Sequence, residues 1–69
     1  MPRLKSSKEI IKILEVNGFH FVSQKGSHGK FNKEGLKIIV IVPMNKREIP
    51  IGTLMSIIRQ SKLDRVIFD

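Results

Sequence analysis

The sequence predicts an α+β fold in the order α-β-β-β-α, a three-stranded antiparallel sheet with both helices on one face. Two observations carry this. Apolar residues recur at helical spacing near both ends of the chain, at Ile10, Ile13 and Leu14 and again at Ile51, Leu54, Ile57 and Ile58. Between them lie three runs rich in strand formers, parted by glycine-bearing turns. With 69 residues there is room for one domain, residues 1–69, and for one modest core.

Met1 to Lys5 reads as a basic lead-in. Ser6-Ser7-Lys8-Glu9 has the pattern of a capping box, with a hydroxyl at the helix start and a carboxylate three residues on. The first helix is expected from about Ser7 to Asn17, with Ile11 at the edge of its apolar stripe. Gly18 stands where a left-handed cap would end it, and Phe19 can fold back on the last turn. Residues 19–25 form the first expected strand. The turn from Gly26 to Gly29 leads into a short second strand, about His28 to Asn32, and Lys33-Glu34-Gly35 makes the next turn. Leu36 to Val42 is the third expected strand, ended by Pro43. Its apolar residues point to both faces, so its second face should be covered or await a partner.

Met44 to Ile49 is a basic loop carrying Lys46 and Arg47, and Pro50 suits the first turn of the second helix. That helix should turn Ile51, Leu54, Ile57, Ile58 and Ser61 to the core. Arg59 and Lys62 lie toward its C-terminal end, where the helix dipole favours cations. Val66-Ile67-Phe68 fits either an extra strand or a docked tail. The whole order is double-stranded-RNA-binding-domain-like.

Charge narrows the partners. Thirteen Lys and Arg against six Asp and Glu give +7, and residues 1–33 hold seven basic and two acidic side chains, 7 − 2 = +5. A sequence pI of about 10.3 fits a polyanion, most plausibly nucleic acid, although a merely basic small protein would share it. Tyr and Trp are absent, which argues against aromatic base-stacking platforms. No Cys is present, and His20 and His28 lack the spaced partners of a metal site, so neither a metal nor a cofactor is expected. With no membrane-length apolar run and no signal peptide, the expected location is cytoplasmic, away from membranes.

The chemistry concentrates at Gly26-Ser27-His28-Gly29-Lys30-Phe31. Glycines let the backbone turn tightly and approach a ligand. A histidine can exchange protons near neutral pH, and Lys25 and Lys30 can hold an anion beside it. Taken alone, the stretch reads first as a hairpin turn with a solvated His28, since one histidine in one turn is a weak signal. Lys46, Arg47, Arg59 and Lys62 are candidate phosphate contacts or ordinary solvated charges.

Three features resemble the HicA-type mRNA-interferase toxin family. The opening helix closes with Asn17-Gly18-Phe19. Lys25-Gly26-Ser27-His28 follows, with Phe31 three residues beyond. Val42-Pro43 precedes Ile49-Pro50-Ile51-Gly52-Thr53-Leu54 and then Ile57-Ile58-Arg59-Gln60. The resemblance implies a double-stranded-RNA-binding-like fold, ribosome-independent mRNA cleavage and neutralisation by a HicB-type antitoxin. It places the family's catalytic histidine on His28. The residues themselves offer Lys25, Gly26, Ser27, Lys30, Lys46 and Arg47 as RNA or phosphate contacts.

Two departures stand out. Many members carry a histidine after the proline that ends strand three, where this chain has Met44-Asn45. Others follow the glutamine of helix two with Ala-Gly, where this chain has Ser61-Lys62. The assemblies expected are a homodimer or a toxin–antitoxin hetero-oligomer. A non-catalytic RNA-binding module of the same fold is the competing reading. A DNA-binding regulator ranks below both, since neither helix is basic along one face.

Metal-independent RNA cleavage needs a base for the 2′-hydroxyl, charge stabilisation for the phosphorane and an acid for the departing 5′-oxygen. His28 can be the base and the lysines can stabilise charge. Ser27 more plausibly shapes the turn or bonds a phosphate oxygen than acts as a nucleophile. His20 could be the acid only if the first strand puts it beside His28; water or Lys30 could serve in its place.

Overall fold

The computed structural model describes residues 4–69, so most of the basic lead-in, residues 1–3, lies outside the described residues. The elements run α1 (Ser7–Val16), β1 (Phe19–Lys25), β2 (His28–Lys33), β3 (Ile39–Pro43), α2 (Ile51–Ser61) and a closing 3-10 turn (Arg65–Phe68). The three strands form one antiparallel sheet in the order β1-β2-β3. This is the expected α-β-β-β-α architecture.

Local signals set the first helix. Ser6 Oγ accepts from the Glu9 N–H at 3.2 Å while the Ser6 N–H donates to Glu9 Oε1 at 2.9 Å, a complete capping box. Gly18 then turns the chain with φ +92°. Ile10 and Leu14 of α1, Ile57 and Ile58 of α2, and Phe31, Val40 and Val42 of the sheet are all buried in one cluster, so both helices cover the same sheet face.

The other face is open. Ile39 and Ile41, which alternate with Val40 and Val42, remain exposed at 39% and 38%, so nothing among the described residues covers the second face of β3. The free edge of β3 is partly closed from the side instead, because the Ile41 N–H donates to Gln60 Oε1 of α2 at 2.9 Å.

Two expectations need correction, and one choice left open is decided. The third strand begins at Ile39, not Leu36, and includes Pro43. The Asn32 amide donates to the carbonyls of Leu36 at 2.9 Å and Ile38 at 3.0 Å, and this gathers residues 34–38 into a loop. Leu36 is left exposed there. Ile51 is not core: it opens α2 at 60% exposure, while Ile49 just before the helix is buried in the core, Leu54 packs against it and full burial within the helix starts at Ile57. The C-terminal segment is a docked tail, not a strand. Asp64 caps it by accepting from the Val66 N–H, and Phe68 is buried against the core cluster.

Candidate active site

β1 and β2 meet at a tight hairpin. Lys25 pairs directly with His28, so Gly26 and Ser27 alone make the turn. Gly26 has φ +59° and Ser27 is not in the left-handed region, as a type II′ turn with glycine first requires. The turn is therefore shorter than the Gly26–Gly29 span read from the sequence.

Gly29 lies within β2 and has a different purpose. It faces the helices, and a Cβ there would stand 2.7 Å from Met44 Sδ and 3.3 Å from the Phe31 ring. Its missing side chain makes room for Met44, whose N–H donates to the Ser27 carbonyl at 2.7 Å.

His28 faces the open side of the sheet, opposite to Gly29 and Phe31, and is exposed. Its Nδ1 lies 3.4 Å from Ser27 Oγ. Lys30 follows on the same face of β2.

Lys25 reaches that face through a bulge. The β1–β2 register shifts between Phe21 and Ser23, which leaves Val22 as the extra residue. Strict alternation from Phe19 and Phe21 would have turned Lys25 toward the helices. After the bulge, Ser23 stands opposite Lys30 and Lys25 opposite His28, both on the open face. One exposed imidazole thus stands with one lysine across the strand pair and another along its own strand.

His20 shares the open face but not the site. It pairs with Asn32, four residues along β2 from His28, which at strand rise is about 13 Å away. Its Nδ1 lies 3.5 Å from Glu34 Oε2, at the far end of the sheet.

Lys46 and Arg47 are on another side of the same end. Their loop follows Pro43, which pairs with His28, and is fastened to the start of α1. The Ser7 N–H donates to the Lys46 carbonyl and the Lys46 N–H donates to Ser7 Oγ, both at 2.9 Å, while the Ser7 hydroxyl donates to the Pro43 carbonyl. Ser7 is buried and all its polar atoms are used. The sequence reading passed over it as the first helical residue, since its partners are nearly forty positions away and leave no local pattern. The structure therefore gathers Lys25, Gly26, Ser27, His28 and Lys30, and sets Lys46 and Arg47 beyond the end of β3. Arg59 lies in the last turn of α2, and Lys62 caps that helix.

Among the described residues no group of three or more His, Cys, Asp or Glu could hold a metal ion, and no helix is long and apolar enough to cross a membrane. Fold and site together define a small basic α+β protein with an exposed histidine between two lysines on the open sheet face. The family model for the HicA toxin of bacterial toxin-antitoxin pairs matches residues 7–63, and the chain belongs to that family. Its role is that of the toxin in such a pair. No curated protein matches the chain. The family match covers every residue of the hairpin site and stops before the 3-10 tail.

Proposed function

We propose that this toxin is an endoribonuclease that cleaves mRNA with His28 as the general base and is neutralised by a HicB-type antitoxin. The observation that carries the reading is the triangle of Lys25, His28 and Lys30 on the open sheet face. An imidazole placed there meets a phosphodiester without displacing any part of the fold. The reaction runs by attack of the substrate's own 2′-oxygen. His28 takes the 2′-hydroxyl proton, the 2′-oxygen bonds to phosphorus, and the bond to the 5′-oxygen breaks. The leaving oxygen takes a proton from water or Lys30. Lys25 and Lys30 offset the charge that builds on the phosphorane oxygens. Gly26 and Ser27 let the backbone and a hydroxyl approach the phosphate, and Lys46 and Arg47 hold RNA further along its backbone.

The products are then a 2′,3′-cyclic phosphate and a 5′-hydroxyl. Incubating a long unstructured RNA with the protein in EDTA and analysing the ends tests this. Cleavage to those ends by the wild type, and none by folded His28→Ala, supports the reading; equal cleavage by both removes His28 from the chemistry. His28 has no second histidine or carboxylate paired with it among the described residues, which favours one competing reading, a non-catalytic RNA-binding module. Salt-dependent RNA binding without cleavage by either protein would establish that instead.

A further inference from the structure

The start of α1 and the loop after β3 border a half-open cleft of about 450 Å³, lined among others by Lys8, Ile11, Met44, Asn45, Lys46 and Arg47. The volume is that of a small-ligand site. Its walls are fixed on two sides. Ser7 ties the loop to the helix, and the Met44 N–H ties it to the Ser27 carbonyl of the His28 hairpin. A single backbone hydrogen bond thus joins the hairpin turn to the cleft wall.

Ile11 and Met44 are half-buried and apolar. Asn45 sits at the lip in the left-handed region, φ 60°, which asparagine tolerates better than other non-glycine residues. Among the described residues its side-chain amide has no hydrogen-bond partner, and Lys8, Lys46 and Arg47 pair with no carboxylate. The nearby Glu9 carboxylate is engaged by the Ser6 N–H.

We propose that this cleft seats one unstacked RNA base from a nucleotide neighbouring the cleavage site, with Ile11 and Met44 against its faces and the Asn45 amide on its edge. This rests on the ribonuclease reading and adds a base-selecting site to it. An amide offers one acceptor and two donors, the complement of a base edge, and single-stranded RNA is read by splaying bases into such pockets. Phosphates on either side of that base fall to Lys8, Lys46 and Arg47. The chain lacks Tyr and Trp, and here aliphatic and thioether walls take the place of aromatic ones. A glutamate-rich segment would satisfy the cations and could bond the amide, but its carboxylates would leave the apolar walls of Ile11 and Met44 without a matching group.

The test is methyl and amide NMR on the full chain carrying His28→Ala, so that RNA stays intact. Four short homopolymeric RNAs, inorganic phosphate and a glutamate-rich peptide are each titrated. A seated base shifts the Met44 and Ile11 methyl signals upfield through its ring current, which a phosphate or a carboxylate cannot do. We expect that shift to be largest with one homopolymer. We expect Asn45→Gly, which keeps the left-handed backbone, to level the difference between the four.

RNA that moves the Lys25–Lys30 and Lys46–Arg47 amides but leaves the methyls in place overturns the base site and spares the ribonuclease reading. RNA that moves no signal removes both. Equal methyl shifts with all four RNAs, unaltered by Asn45→Gly, remove the selecting role. Methyl signals that respond to the peptide and not to RNA make the cleft a protein site.

Discussion

The two faces of the sheet are built from alternate residues of the same strands, yet they carry opposite responsibilities. On the helix side, Phe31, Val40 and Val42 are at most 1% exposed and hold the two helices together. On the open side, the side chains of His28, Lys30 and Ile41 are exposed and lie outside the core cluster. In a small domain, which buries only about 60% of its unfolded surface, this division matters. The covered face has little stability to spare, while the open face is free to carry charge that would be costly to bury.

The hairpin glycines show the division at its finest scale. Gly26 is needed for a backbone angle, and Gly29, three residues on, is needed for the space that Met44 occupies.

The sharpest way to break the comparison is from the covered side. Phe31→Ala removes a ring that packs edge-on against Phe21 with centroids 5.7 Å apart. Its cost should be about 3–5 kcal/mol, enough to abolish cooperative thermal unfolding followed by circular dichroism. Ser7→Ala should cost about 1–3 kcal/mol in denaturant unfolding, because it strips buried partners from the Pro43 carbonyl and the Lys46 N–H. It should also loosen the Lys46–Arg47 loop, visible as faster amide exchange at Lys46.

Gly26→Ala should cost about 1–2 kcal/mol from its positive φ alone, with no clash, since nothing lies within 4 Å of a Cβ there. Lys62→Gly should stabilise the protein by about 0.5 kcal/mol. Lys62 ends α2 at φ 63°, a conformation that glycine adopts without strain. A shift in thermal midpoint would check it.

Much of this division was readable in the sequence, and what was not had a common cause. The capping box at Ser6 and Glu9, the positive φ of Gly18 and Gly26, and the three strands all follow from neighbours in sequence. The paired apolar faces of β3 were also visible, and so was the prospect that one stays uncovered.

The bulge at Val22 was not, although it decides which face Lys25 serves, because only the register against β2 defines it. The late start of the third strand depends on Asn32 reaching across to Leu36 and Ile38. Ser7, Gly29 and Met44 are likewise explained by contacts distant in sequence. At the site, Lys25 to Lys30 could be read as one cluster because a two-residue turn forces them together. Lys46 and Arg47 could not be placed, since their position depends on what fastens the loop.

The claim that the open face is a reaction site at His28, and not simply a basic surface, is tested most directly by comparing the two histidines on that face. RNA cleavage and thermal stability should be measured side by side for wild type, His28→Ala and His20→Ala. Both substitutions are exposed and should change stability by no more than about 0.5 kcal/mol. His28→Ala should lower the cleavage rate by about 10²–10⁴-fold, the usual worth of a general base, while His20→Ala leaves it near wild type. Equal losses in the two variants, or full activity without His28, would contradict the account.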